Sequence, residues 1–395
     1  MIPVNEPLFI SDEKKYLEKC IDEGWVSSDG SFVKEFEEGF SKYVGRKYGV
    51  AVSSGTAALE VAVGALGIKE GDEVIMPSFT IISCVLAVVN YGAVPVFIDS
   101  DPETFTIDVT KIEERITEKT KAIMAVHIYG HPCDMDPILE IAKKHNLLVI
   151  EDAAEAHGAE YLPDGRQGKG NPPSLEAMAR QRKCGSFGDI SIFSFYANKI
   201  ITTGEGGMVL TDNEEYAERA RSLRNLAFGK GEKRYHHEEL ARNYRMTNLQ
   251  AALGVAQLNN IDKLVNIKIN NAKKYTELLK DVKGLTLPIE KEWAKNVYWM
   301  YGVVLDPPSH EASARQGESL GMTAEDFAKK LLEAGVQTRP FFYPMHLQPV
   351  FEKYNKGNFP VSEKLARYGL YLPSGMALKE SQIKEVVEAI KKILH

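Results

Sequence analysis

Between Tyr48 and Asn213, short apolar runs recur, bounded by glycine, proline or charged residues and separated by stretches with helical spacing. Runs at 49–52, 73–76, 94–99, 122–127, 147–151, 190–195 and 207–211 predict strands. Strands alternating with helices predict an α/β fold whose mostly parallel seven-stranded sheet is flanked by helices. Upstream, the pattern predicts an extended arm, a helix over 12–23, a turn at Gly24 and a second helix over 31–43. Downstream it predicts helices over 248–258 and 259–280, a strand over 298–305 and a helix near 323–334. The expected division is a large unit over 1–258 and a smaller C-terminal α/β unit over 259–395.

Two segments break the rhythm. Residues 163–187 are rich in Gly, Pro, Arg and Lys and predict an insertion with a short helix near 174–181. Residues 307–321, with their Ser, Gly, Glu and Ala, predict a mobile loop.

The apolar pattern also frames the candidate chemistry. The stretch GDISIFSFYANKIITTGEGGMVLTDN (188–213) holds one lysine, Lys199, between two strand-like runs. Burial disfavours the ammonium form, and a neutral amine is a nucleophile toward an aldehyde. A small Ser-Gly-Thr turn, Ser53-Ser54-Gly55-Thr56, opens a helix pattern, and free amides at a helix start suit a phosphate. The run at 147–150 leads into EDAAEAHG, which puts Asp152 at the carboxyl end of a strand, where open α/β sheets bind ligands. A lysine, a carboxylate and a phosphate cradle together meet the needs of pyridoxal 5'-phosphate.

SSGTAAL, EDAAEAHGA, the FSFYANK segment and GEGG resemble the pyridoxal-phosphate sugar aminotransferases of the DegT/DnrJ/EryC1/StrS type, over nearly the whole chain. The resemblance implies a fold type I aminotransferase-like architecture. It makes Lys199 the Schiff-base lysine and proton shuttle, and Asp152 the partner of the pyridine nitrogen. Lysine at 199 argues against the family's dehydratases, which carry histidine there. Gly55, Thr56, Ala57 and Ser194 would hold the phosphate, and Asn243 would reach the phosphate of a second subunit. That implies a homodimer with its active site at the subunit interface. Relatives usually place an aromatic where this chain has Ile81, so Phe79 supplies packing or Ile81 replaces the stack. Glu155 stands where many relatives have glutamine, near the cofactor's phenolic oxygen. Trp25, Arg245, Arg339, Tyr343 and His346 are candidates for the sugar nucleotide. The segments PVNEP…GWVSS and RPFFYPMHLQP point to the branch that aminates a GDP-linked 4-keto-6-deoxy-mannose with glutamate as donor. A UDP- or dTDP-linked keto sugar is the alternative substrate. A non-catalytic cofactor-binding regulator is the alternative of another class.

Composition changes little. A net charge of −7 and 44% hydrophobic content fit an ordinary enzyme and give no reason to expect nucleic-acid or membrane binding. No apolar run approaches the ~18 residues of a membrane span. The four cysteines are far apart, without a CxxC pair or zinc spacing, so no metal is expected. Reduced cysteines and the absence of a signal-peptide pattern at the start predict a cytoplasmic protein.

Overall fold

Where the apolar runs end at glycine, proline or a carboxylate, the chain leaves a seven-stranded sheet. The computed structural model describes residues 1–162, 181–228, 235–237, 239–306 and 322–394. Strands β1 (Tyr48–Val52), β2 (Glu73–Pro77), β3 (Val94–Ile98), β4 (Thr120–Val126) and β5 (Leu148–Asp152) match the predicted runs within two residues. A minor pair follows, β6 (Glu160–Tyr161) and β7 (Arg182–Lys183), and then β8 (Ile190–Ser194) and β9 (Gly207–Thr211) complete the set. The large sheet has the order β1-β9-β8-β5-β4-β2-β3. All its pairings are parallel except those of β9, which runs antiparallel to both β1 and β8. The β8–β9 link forms no helix, and β9 turns back antiparallel beside β8.

Helices cover both faces because their apolar stripes have the helical period. The first helices are α1 (Glu13–Asp22), α2 (Ser31–Val44), α3 (Gly55–Ala65), α4 (Ile82–Val89) and α5 (Met135–His145). In α2, Phe32, Val33, Phe36, Phe40 and Val44 are buried on one side, and Gly45 closes the helix in the left-handed conformation. In α3 nearly every residue is buried, which suits its run of Ala and Val against the sheet. Then come α6 (Glu214–Arg224), α7 (Asn248–Leu258) and α8 (Ile261–Leu279). A capping box of Thr247 and Gln250 starts α7.

A second sheet, all antiparallel, has the order β10 (Leu285–Thr286), β12 (Tyr301–Leu305), β14 (Gly369–Leu372), β13 (Arg339–Pro340). Chain order places β11 (Ala294–Lys295) between β10 and β12, where it pairs with β6. The strand predicted from residue 298 starts at Tyr301, because Tyr298 has a positive φ of 48° and turns the chain. Helices α9 (Ala324–Glu333), α10 (Pro360–Tyr368) and α11 (Glu380–Leu394) pack around this sheet, whose core holds Tyr275, Tyr301, Phe327, Leu331, Leu370 and Ile383. Ile2 joins the same core: its amide donates to the Gly335 carbonyl and its carbonyl accepts from Gln337. Val4 likewise accepts from the Ser374 amide. Most of the predicted insertion, with its helix near 174–181, and the loop predicted at 307–321 lie outside the described residues.

Candidate active site

The carboxyl ends of β5 and β8 and the start of α3 converge on one cavity of about 280 Å³. Ser54, the N-cap of α3, accepts the Ala57 amide through its Oγ at 3.1 Å. The first-turn amides of Gly55 and Thr56 make no hydrogen bond among the described residues, and both residues line the cavity. The Thr56 hydroxyl bonds the Ser83 hydroxyl at 2.8 Å. Two glycines let the walls close: a Cβ on Gly55 would meet the Ser194 side chain, and one on Gly207 would lie 2.3 Å from the Ser54 carbonyl oxygen. The cradle is therefore formed by a helix start, two hydroxyls and backbone at close quarters.

Asp152 ends β5. Its carboxylate accepts the Ala154 amide at 3.0 Å and the Cys84 thiol at 3.1 Å. Burial pushes Asp152 above the usual carboxylate range, opposed by these two bonds and by Lys199. Burial also holds the Cys84 thiol well above its ordinary value, so it stays a donor. Glu155 sits in the turn after β5, where one oxygen accepts the Tyr129 amide at 2.7 Å. Burial raises it to about 7, against the pull of Lys199.

Lys199 lies in the turn from β8 to β9, 8% exposed. Its Nζ is 3.8 Å from Glu155 Oε1 and 3.6 Å from the centre of the Trp299 ring. Trp299 is fixed by its indole N–H, which donates to the Asn198 carbonyl at 2.9 Å. Burial lowers the lysine, while Glu155 and then Asp152 oppose it. The arrangement offers a buried amine between an aromatic face and a carboxylate, with a second carboxylate and an anion cradle in the same cavity.

The donor set fits pyridoxal phosphate, and Gly55 and Gly207 leave clear the space against the Ser194 side chain and the Ser54 carbonyl, beside the unbonded amides of the α3 start. The chain matches the model of the DegT/DnrJ/EryC1/StrS aminotransferase family over residues 8–391. The chain belongs to that family. A GDP-perosamine synthase of Caulobacter vibrioides is 41% identical over 394 residues, covering 100% of this chain and 98% of the relative. GDP-perosamine synthases of Vibrio cholerae (39% identical) and Escherichia coli O157:H7 (41%) each cover 99% of this chain and 98% of their own length. Among solved structures, Streptomyces venezuelae DesV in complex with a ketimine intermediate superposes with TM-score 0.84 at 31% identity, covering 97% of this chain and 94% of DesV. An aminotransferase from Psychrobacter cryohalolentis does so with TM-score 0.86 at 30% identity, covering 100% and 98%. The aminotransferases of this family are pyridoxal-phosphate-dependent, and this member is a transaminase with the same cofactor.

The cavity brings together Gly55, Thr56, Ile81, Asp152, Glu155, Ser194 and Lys199. Other expected residues stand elsewhere. The Ala57 amide is taken by Ser54, and Ala57 is buried behind the cavity wall. Phe79 is fully buried among Tyr129, Phe341 and Phe342, so Ile81 alone of the two meets the cavity. His346 is buried too: Nδ1 bonds the Ser78 hydroxyl at 2.6 Å, Nε2 faces Glu363 at 3.3 Å, and the ring stacks on Phe359. The structure gives it a bracing place rather than a substrate-facing one.

Asn243 is exposed, bridges Asn225 and does not line this cavity. Arg245 donates to Asn225 Oδ1, and its backbone pairs with Val52. Arg339 is exposed opposite Tyr371, a cavity residue, while Trp25 and Tyr343 are each 54% exposed. Sequence reading missed Ser83, Cys84, Trp299, Phe342 and Tyr371 at or against the site. Of these only Cys84 had a local signal, four residues after Thr80, where the turn becomes α4.

A second cluster, His127, Glu151 and Cys184, has potential ligand atoms within 4.8 Å of one another. His127 Nδ1 accepts the Cys133 amide at 2.9 Å, so Nε2 carries the proton and donates to Glu151 at 2.8 Å. Glu151 also accepts the amides of Gly185 and Phe187. These bonds brace the turn before β8 against β4 and β5.

Proposed function

We propose that this enzyme transfers the amino group of glutamate to a GDP-linked 4-keto-6-deoxy sugar, GDP-4-keto-6-deoxy-mannose, giving GDP-perosamine. The observation that supports it is the convergence of Lys199, Asp152 and the α3 cradle on one cavity, in a chain about 40% identical to three GDP-perosamine synthases over its full length. When bound, pyridoxal phosphate supplies an aldehyde that accepts the amine and a ring that takes up electrons as the α-proton leaves. The amides of Gly55 and Thr56 and the hydroxyls of Thr56 and Ser194 would hold its phosphate. Asp152, fixed by Ala154 and Cys84, would keep the ring nitrogen protonated. Ile81 would press an apolar surface on the ring. The Nζ of Lys199 would hold the aldehyde and then, displaced, move a proton between the two reacting carbons. Trp299 would cover that amine with its ring face, and Phe342 would add an apolar wall to the same cavity.

The active unit in this reading is a homodimer. Asn243 lies exposed outside its own cavity, as a residue serving a second subunit must. Trp25, Arg245, Arg339 and Tyr343 rim the nucleotide path in the same reading. We also place the division of the chain at the break between α7 and α8, with 1–258 as the cofactor-binding unit, and the enzyme in the cytoplasm. Four free buried cysteines support a reducing compartment.

The test is transfer of labelled nitrogen from glutamate to a panel of GDP-, UDP- and dTDP-linked keto sugars. Preference for the GDP-linked substrate is expected, and preference for a UDP- or dTDP-linked one would overturn that choice. Borohydride reduction followed by peptide mass analysis should fix the cofactor on Lys199. Fixation on another lysine would remove the central assignment.

A further inference from the structure

The two carboxylates nearest Lys199 are held differently. Asp152 accepts a backbone amide on one oxygen and a thiol on the other. Glu155 spends Oε2 on the Tyr129 amide, while Oε1 makes no hydrogen bond among the described residues and pairs with Lys199 Nζ at 3.8 Å. Tyr129 has a left-handed backbone, φ 53°, and through that amide it fixes the direction of the carboxyl. On the other side of the amine lies the face of Trp299, which can favour a cation but cannot take a proton. Among the described residues, Glu155 Oε1 is thus the carboxylate oxygen that faces the amine with no hydrogen bond of its own.

We propose that Glu155 is the proton partner of Lys199, taking one proton from the ammonium when the amine must react and returning it afterwards. The step balances as Lys199–NH3⁺ plus Glu155–COO⁻ giving Lys199–NH2 plus Glu155–COOH. The inference deepens the reading of the same cavity as a cofactor site. A buried amine beside an ionised carboxylate would stay charged, because the ion pair stabilises the charge. Letting the carboxyl take the proton frees the amine without a charge leaving the cavity. Burial acts on the pair from both sides, pushing the acid up and the amine down. Other groups facing the pair are Asp152 from β5, the Cys84 thiol from α4, the Tyr129 hydroxyl, Tyr371 from β14 and His157. Asp152 opposes a charged Glu155, and His157 is kept neutral by burial, so neither replaces Glu155 as acceptor.

The test reads the amine directly. Full-length wild type and Glu155→Gln, both cleared of cofactor, are labelled with trace acetic anhydride across pH, and modification of residue 199 is quantified by mass spectrometry. Glutamine keeps the Tyr129 bond but carries no charge and takes no proton. The labelling midpoint of Lys199 is expected to fall by at least one unit, about tenfold in reactivity below the midpoint, since a charge ~4 Å away is removed. Glu155→Asp, which keeps the charge at greater distance, should fall between the two. A midpoint in Glu155→Gln within a few tenths of wild type would overturn the proposal. Should the variant misfold, difference infrared spectroscopy of wild type keeps the question open to test. A carboxylic-acid band must change with the same midpoint as the labelling, and its absence would equally sink the idea. Failure of borohydride to fix the cofactor at Lys199 would remove the cofactor reading and leave this titration unaffected.

Discussion

Gly55 faces Ser194 so closely that a Cβ on the glycine would lie 2.7 Å from the serine Cβ and 2.9 Å from its hydroxyl oxygen. The start of α3 and the end of β8 can therefore share one anion only while residue 55 has no side chain. Gly55→Ala is expected to force these walls apart and weaken pyridoxal-phosphate binding tenfold or more. Overpacking of this kind costs about 1–3 kcal/mol. Spectrophotometric titration of the variant with cofactor checks it, and unchanged affinity would show that the cradle lies elsewhere.

Lys199→Ala is expected to lower transamination at least about a hundredfold, the ordinary loss for removing a general base. Circular dichroism should be unchanged, since the side chain contributes one ion pair and one ring contact. Turnover within about tenfold of wild type would refute the assignment.

For Asp152→Asn the expected effect is a fall of orders of magnitude in both half-reactions, with cofactor still bound. An amide cannot stabilise a protonated ring nitrogen as a carboxylate does. Steady-state rates near wild type would make Asp152 a purely structural strand end.

His346→Ala separates bracing from recognition. The imidazole is buried between Ser78, Glu363 and Phe359, so its loss should reduce unfolding free energy by about 1–3 kcal/mol. The Michaelis constant for the sugar nucleotide should stay within about twofold of wild type. A large rise in that constant without loss of stability would return His346 to the substrate path.

Two buried histidines set an acid limit on stability. Burial holds His131 at about 4 and His157, also repelled by Lys199, at about 3. Both lie below the ordinary value of 6.5, so between 6.5 and these values the unfolded chain binds more protons than the folded one. The contribution of these two histidines is therefore expected to be full above about pH 6.5 and to fall as pH drops toward 4, by roughly 1.4 kcal/mol per unit for each group, partly offset by Glu155, whose raised carboxyl favours the fold as pH falls below about 7. Urea unfolding from pH 7.5 to 4.5 measures the slope. A slope that persists unchanged in the double variant His131→Asn, His157→Gln would assign it to other groups.

The strands and the lysine turn were legible because each apolar run is short, bounded and rich in β-branched residues, and because Lys199 stands alone between two of them. Strand order was not legible, since pairing depends on long-range packing that no local pattern carries. The same limit explains the missed residues. Trp299 reaches the cavity from the bend before β12 and Tyr371 from β14, distant in sequence and outside any motif. Phe79 and Ile81 sit two residues apart, and only the turn into α4 decides which one meets the cavity. His346 and Tyr343 looked alike as polar aromatics in RPFFYPMHLQP. The structure separates them, because Ser78 and Phe359 enclose one and leave the other in solvent.

The arm at Ile2 and Val4 docks on segments that flank β13 and β14, bridging Val336 and accepting from the Ser374 amide. The arm leaves the ribosome more than 300 residues before its docking partners, Gly335, Gln337 and Ser374. The large sheet can form while the arm waits, undocked, through most of translation. A nascent chain halted before Gly335 is therefore expected to be cut rapidly within the arm by a nonspecific endoprotease, and a chain that includes Ser374 to resist cutting there.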